Sequence, residues 1–314
     1  LRKVFPLEEV REYTLRFLAS CLSGDIREEK FYFWTGCGGN GKSKLVELMD
    51  YAFGDYSRTM DVAYLTTKRG SSSAASPELE SIKHARFVCM SEPEKTDQIY
   101  VGKLKQMTGG DKMTTRGLFK ETTQFKPQFK MVLMCNDLPK LAGNDGGIWR
   151  RIEVVKYIAK FTDNPKPCPA APHQYLADEQ LSSKLKEWNL LFMIKLLSKY
   201  RDYDKEGTNP PPAVKDETKS YRTSNDIIAN WCADDLVESD EFCSFTELWD
   251  AFQRWSSDEG YNQKQIPEKN EIKEALFKLQ EKTEYGLVLG KNKSENCPNG
   301  TKRAPRFNLK SIDE

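Results

Sequence analysis

The chain is 314 residues long, with 38% hydrophobic and 30% charged residues and a mean hydropathy of −0.68. That length suits a main domain with a satellite better than one small core, and the hydropathy excludes a membrane span. Lys and Arg number 48 against 47 Asp and Glu, and the net charge of +1 at first disfavours a nucleic-acid partner, which usually leaves a basic footprint.

In chain order, Val10, Leu15, Phe17, Leu18 and Leu22 recur at roughly helical spacing, with Pro6 before them and Gly24 after. They predict a helix within Pro6–Leu22, and residues 1–25 read as the helical end of an upstream domain, because the chain begins at Leu1 and shows no signal peptide. Lys30–Thr35 is a β-rich run, and Lys42–Phe53 has a helical pattern through Leu45, Leu48, Met49 and Ala52. Short apolar runs at Ala85–Met90, Phe129–Cys135 and Ile152–Ile158 read as strands buried inside a sheet. The expected fold class is α/β, with a mainly parallel sheet.

Four prolines in Phe161–Pro172 separate this sheet from a helix expected over Ala177–Tyr200, and Gly207–Pro212 makes a second break. The main domain is therefore read as 26–205 and a second as 213–314. In the latter, helices are expected near Asp226–Glu238, Phe245–Ser257 and Pro267–Glu281, with strands around Leu287 and Phe307. Ser244 and Glu247 form a capping-box pattern ahead of the middle helix. Three helices and a hairpin fit a winged-helix-like module.

The eight cysteines are scattered without zinc-site spacing, and five lie in apolar stretches, so a reducing intracellular compartment is the expected setting. The two histidines, His84 and His173, have no nucleophile motif beside them, which argues against a Ser-His-Asp or Cys-His hydrolase.

The strongest local signal is Gly36-Cys37-Gly38-Gly39-Asn40-Gly41-Lys42-Ser43, a full match to G-x-x-x-x-G-K-[ST] between a predicted strand and a predicted helix. Glycines let backbone N–H groups approach phosphate oxygens, Lys42 is placed to bridge them, and Ser43 is placed to ligate Mg²⁺. ATP and Mg²⁺ are the expected cofactors. Phe87–Glu92 is an apolar strand ending in an acid, the pattern of a Walker B element, and Glu92 is the candidate base and second metal-side ligand, with Glu94 a further acid nearby. Ser91 stands where many such ATPases carry Asp. Phe129–Cys135 ends at Asn136, which can orient an attacking water. Arg150 and Arg151 precede the Ile152 strand; they are either surface charge or an arginine finger for a neighbouring subunit.

These elements, together with Ser91-Glu92-Pro93-Glu94, Thr108-Gly109-Gly110-Asp111 and Gly147-Ile148-Trp149-Arg150-Arg151, resemble in order and spacing the superfamily 3 helicases. The likeness is to the poxvirus-type helicase-primases of large DNA viruses and related phage and plasmid primases, and it covers about residues 1–200. The resemblance implies an AAA+ core, a homo-hexameric ring, ATP hydrolysis between subunits, and translocation on single-stranded or forked DNA. It also implies a primase region upstream in the full-length chain. It assigns Glu92 as Walker B acid, Asn136 as sensor and Arg151 as the favoured finger, with Arg150 second. Its DNA-contacting hairpin maps near Lys112, Arg116, Phe119 and Lys120, where cations would grip phosphates and an aromatic could stack on a base.

A replicative helicase is the expected function. The alternatives are an AAA+ initiator or loader that binds DNA and ATP without processive unwinding, and a passive DNA-binding or scaffolding module. A GTPase is disfavoured by the absence of N-K-x-D, and a nucleotide kinase by the absence of an Arg-rich lid. Charge counted locally removes the first objection to DNA: residues 100–160 carry twelve Lys and Arg against five acids, whereas residues 230–260 carry nine acids and one Arg. Neutrality is a cancellation between regions.

Overall fold

The computed structural model describes residues 1–67, 76–94, 97–117, 121–142, 146–261, 266–281 and 306–311. The chain divides into two compact units, Leu1–Arg222 and Thr223–Glu314.

The first unit is built on five strands: β1 (Phe31–Thr35), β2 (Ser57–Met60), β3 (Phe87–Met90), β4 (Lys130–Cys135) and β5 (Ile152–Lys156). They lie in the order β2-β3-β4-β1-β5, and every neighbouring pair is parallel. The strand residues of β1 are all buried, as both faces of a parallel sheet require. Alternation sends Phe31 and Phe33 into one core cluster and Tyr32 and Trp34 into the other. The second cluster is closed by α1 (Glu8–Ser20), α2 (Lys42–Phe53) and α3 (Leu181–Glu206), through residues such as Phe17, Leu45 and Phe192.

Strands expected near 30–35, 85–90, 129–135 and 152–158 all form. The edge strand β2 was not anticipated, because Ser-Arg-Thr-Met offers no apolar run. The Gly207–Pro212 break is a turn between helices and not a domain boundary. After it, α4 (Pro212–Ser224) places Val214 in one core cluster and Tyr221 in the other, and its Thr218 hydroxyl accepts a 3.0 Å hydrogen bond from the Val154 N–H of β5. The spacing of Val214, Thr218 and Tyr221 by four and three residues puts all of them on the helix face toward the sheet.

Two buried charges fasten α1 to the sheet. Lys130, at the start of β4, points its ammonium at the carbonyls of Ser20 (2.7 Å), Ser23 (3.1 Å) and Asp25, and so caps the carbonyl end of α1. Glu153 on β5 accepts hydrogen bonds from Tyr13 Oη and from the Lys30 ammonium, both at 2.8 Å.

The second unit contains α5 (Ile227–Asp234), β6 (Leu236–Ser244), α6 (Phe245–Asp258), α7 (Lys269–Glu281) and β7 (Arg306–Ser311). The capping box at α6 is formed: Ser244 Oγ accepts from the Glu247 N–H at 3.3 Å, and the Glu247 carboxylate accepts from the Ser244 N–H. The helix expected to reach Glu238 stops at Asp234, and the chain turns into β6, which pairs antiparallel with β7. Phe307 thus pairs with Cys243, while Leu287 lies outside the described residues. Trp231, Leu248, Phe252, Ile272 and Leu276 form this unit's own core.

Candidate nucleotide site

The carboxyl ends of β1, β3 and β4 lie side by side, so three segments distant in sequence meet at one edge of the sheet. A cavity of about 360 Å³ there is lined by Gly38–Lys44, Ser91, Glu92, Met134, Cys135 and Asn136.

Gly36, Gly39 and Gly41 adopt φ values of 138°, 74° and 91°, a region that side chains rarely occupy. The chain after β5 presses on this loop. A Cβ on Gly36 would lie 2.5 Å from the Tyr157 carbonyl oxygen, and the Phe161 N–H donates to the Gly39 carbonyl at 2.6 Å. Asn40 is buried and closes the loop on itself by donating to the Cys37 carbonyl at 2.6 Å. Lys42 opens α2, is buried, and donates to the Gly36 carbonyl. Burial pushes its ammonium pKa down, against the opposing pull of Cys135 and Glu92. Ser43 is exposed in the first turn of α2 and lines the cavity.

On the opposite wall, Glu92 and Asn136 are joined by two hydrogen bonds of 2.8 Å: the Asn136 backbone N–H donates to Oε1 and its side-chain amide to Oε2. Thr35 Oγ1 donates to the Asn136 carbonyl at 2.8 Å, which ties the pair to β1. Burial, and then the Glu92 charge, push the Cys135 thiol up to about 12, so it stays protonated beside the site.

The lining fits a triphosphate with its magnesium. A Cβ on Gly38 would meet nothing within 4 Å, so the missing side chain leaves open room at the loop, and the buried Lys42 ammonium faces that space without a carboxylate salt bridge among the described residues. Ser43 and Glu92 both line the cavity and are the side-chain oxygens that would hold the metal. Glu94 does not line the cavity, and its N–H is engaged by Asp97 Oδ2 at 3.2 Å. Among the described residues no group of three or more His, Cys, Asp or Glu could hold a metal by itself, so a magnesium ion here would depend on waters and phosphate oxygens, its usual partners.

Arg150 and Arg151 lie at the other end of the sheet. The Arg151 carbonyl accepts from the Phe31 N–H at 2.7 Å, at the start of β1, a full strand length from Gly36. Neither can therefore reach the loop of its own chain. Arg151 is committed within the chain: its guanidinium lies 2.6 Å from Glu29 Oε2 and donates to the Gly147 carbonyl at 3.1 Å, and its side chain is 11% exposed. Arg150 is 67% exposed and 3.7 Å from the same Glu29 oxygen. Position ahead of β5 favours Arg151 as a finger; exposure favours Arg150.

The hairpin expected near the DNA-contacting residues is present as Met113–Arg116 paired antiparallel with Thr122–Phe125. Met113 and Thr115 point inward, and Lys112, Thr114 and Arg116 outward. Thr115 Oγ1 donates to the Ser76 carbonyl at 3.1 Å and anchors the arm. Phe119 and Lys120 lie outside the described residues. The basic surplus of residues 100–160 is smaller than its count: Lys130 caps α1, Arg151 pairs with Glu29, and Lys156 pairs with Glu217 at 2.8 Å.

No sequence pattern marks the brace formed by Tyr157 and Phe161, or Glu29. The Phe161–Pro172 segment reads as a separator, yet its first residue holds the phosphate loop through a backbone hydrogen bond.

A family model described as a family of unknown function, DUF5906, matches residues 34–151, a span that begins in β1 and ends at Arg151. A provisionally named helicase of Acanthamoeba polyphaga mimivirus is 42% identical over 259 residues, covering 81% of this chain and 27% of the relative. The chain resembles helicase- and primase-named proteins of large DNA viruses. A provisionally named helicase of Frog virus 3 is 30% identical over 267 residues, with coverages of 81% and 27%. A provisionally named primase of African swine fever virus is 24% identical over 267 residues, with coverages of 81% and 28%. The chain thus spans about a quarter of the length of these relatives. Among solved structures, the apo C-terminal region of NrS-1 superposes with a TM-score of 0.50 at 16% identity, covering 89% of this chain and 59% of that one, a likeness of fold. No helix among the described residues is long and apolar enough to cross a membrane.

Proposed function

We propose that this chain is the ATP-hydrolysing motor part of a DNA helicase of superfamily 3 type, an AAA+ core working as a homo-hexameric ring on single-stranded or forked DNA. The observation that carries the reading is the convergence of Lys42, Ser43, Glu92 and Asn136 on one cavity at the carboxyl edge of a parallel sheet. The likeness to helicase- and primase-named viral proteins supports a role in DNA replication inside a host cell. The greater length of those relatives, and the primase name among them, support an upstream primase region. Helix, strand, two helices and a strand in the second unit support a winged-helix-like module.

Bound Mg-ATP supplies the phosphoanhydride bond and a metal that neutralises its oxygens. The glycine loop presents backbone N–H groups, and its shape is held from behind by Tyr157 and Phe161. Lys42, whose ammonium is penalised by burial, gains from an anionic partner. Glu92 orients a water and takes its proton at a carboxylate oxygen, once one of its two bonds from Asn136 opens. Asn136 keeps that carboxylate facing the cavity. Arg150, exposed and remote from its own loop, is the arginine placed to act on a neighbouring subunit. Lys112 and Arg116, with Phe119 and Lys120 as the sequence resemblance assigns them, form the DNA contact.

A forked-DNA unwinding assay beside native mass measurement tests the reading. Strand displacement by a hexamer, lost in Lys42→Ala, is the expected result. DNA-stimulated ATPase without displacement would instead identify an initiator or loader, and ATP binding without turnover a scaffolding module.

A further inference from the structure

The 26-residue helix α3 has apolar residues on both sides. Leu185, Phe192, Leu196 and Tyr203 face inward and are buried. Leu190, Leu191, Ile194 and Leu197 face the opposite way and are 67%, 66%, 54% and 56% exposed. At about 100° per residue, Ile194 points directly away from the buried face, with Leu190 and Leu197 flanking it on one side and Leu191 on the other. A contiguous apolar patch of this kind on an otherwise charged helix marks a contact surface.

The order of residues along the patch identifies its occupant. Leu191 and Leu197 stand three residues before and after Ile194, and Glu187 and Arg201 stand seven before and after. All five lie on the outward face. If a second copy of α3 is laid antiparallel across the first, with the two-fold axis at Ile194, Ile194 meets its own copy and each Glu187, close to the centre line, meets an Arg201, while Leu191 and Leu197 close the two flanks. Both charged residues are exposed, and neither makes an ion pair among the described residues. The patch is therefore complementary to itself: an apolar centre with opposite charges at its two ends, as an isologous interface requires. A different partner would need no such symmetry.

We propose that the outward face of α3 is a two-fold self-association surface, occupied by α3 of a second copy of this chain. This contact is distinct from the head-to-tail contacts of a ring, and it requires neither nucleotide nor Arg150.

Sedimentation of the whole chain without nucleotide tests it. The expected result is a dimer that Ile194→Asp weakens by about 100-fold or more, since a charge would be buried at the centre. Glu187→Arg and Arg201→Glu should each weaken it by about tenfold, and the double reversal should restore it. Ile194→Cys should cross-link to itself under mild oxidation, because only a two-fold contact brings this residue against its own copy. These residues are on the surface, so folding is not at stake. A wild-type monomer at about 100 µM would overturn the proposal. So would association unchanged by Ile194→Asp, single reversals without effect, a double reversal without rescue, or no cross-link in an associating Ile194→Cys protein.

Discussion

Glu92 and Asn136 follow different strands, 44 residues apart in sequence, and meet through two 2.8 Å hydrogen bonds that occupy both carboxylate oxygens. The pair aims Glu92 at the cavity and, in the proposed ATPase, restrains it as a base. Asn136→Ala removes the aim, and ATP turnover is expected to fall by about 10²-fold, the lower scale of general-base effects, with nucleotide affinity changed only slightly. Single-turnover hydrolysis beside equilibrium binding of a fluorescent nucleotide separates the two. A parallel loss of affinity would make Asn136 a binding residue.

Gly36 and Gly38 predict opposite outcomes for the same substitution. Alanine at Gly36 meets the Tyr157 carbonyl at 2.5 Å, with backbone at φ 138°, so Gly36→Ala should destabilise the first unit by about 1–3 kcal/mol. Alanine at Gly38 meets nothing within 4 Å and should leave the melting temperature unchanged. It would still intrude where phosphate is expected, lowering ATP affinity by about tenfold or more, read by calorimetry. Equal stability of both variants would contradict the brace.

The two arginines differ in the same way. Arg151→Ala removes a mostly buried guanidinium from a pair whose Glu29 partner is 40% exposed and should cost about 1–2 kcal/mol in urea unfolding. Arg150 is two-thirds exposed, so Arg150→Ala should leave stability within about 0.5 kcal/mol. In the assembled protein it should slow ATP turnover by about 10³-fold with nucleotide binding retained, the scale of an arginine finger. Turnover lost only with Arg151 would return the role to that residue.

What could be read from sequence follows from the range of the forces involved. Strands β1, β3, β4 and β5 announce themselves as apolar runs, because both of their faces are buried, and the phosphate loop does so because its backbone tolerates only glycine at set positions. Glu92 and Asn136 could be named as strand-end residues, but their bond depends on β3 and β4 being neighbours, a fact of topology. Strand β2 carries a half-buried Arg58 and an exposed Thr59 between its buried ends and lacks the apolar signature. Glu29, with φ 51°, and Phe161 act through single contacts across the fold and leave no periodic trace. Residue spacing ranked Arg151 above Arg150; only exposure separates them.

Lys130 gives the first unit a pH dependence of definite sign. Burial lowers its pKa in the folded chain below the ordinary lysine value. Between that lowered value and about 10.5 the unfolded chain binds more protons at this group than the folded one, so the Lys130 contribution to stability rises with pH across this window, opposed near its upper end by the buried thiols of Cys21, Cys89 and Cys135, held up at about 12. Below the lowered value the contribution is constant. Lys130→Met should flatten that rise. It should also cost about 2–4 kcal/mol at neutral pH, because the carbonyls of Ser20, Ser23 and Asp25 lose a charged donor. Urea unfolding at several pH values between 7 and about 10 checks both effects. An unchanged slope would assign the dependence to another group.

Lys112 and Arg116 sit on the outward side of a hairpin whose inward residues are locked into the fold, so their removal should not disturb the ATPase core. If each contacts one phosphate of a single strand, the slope of log affinity against log salt should shrink by about 0.7 per substitution in Lys112→Ala and Arg116→Ala. ATP affinity should be unchanged in both. Fluorescence anisotropy of a labelled oligonucleotide over a salt series gives the slopes directly. Weakened binding with an unaltered slope would mean that the substitutions act through hairpin shape and that phosphate contact lies elsewhere. The buried partner Thr115 supplies the control: Thr115→Val removes its hydrogen bond to the Ser76 carbonyl and should loosen the hairpin without changing charge. Affinity would then fall at every salt concentration by the same factor, a parallel shift that the cation variants should not show.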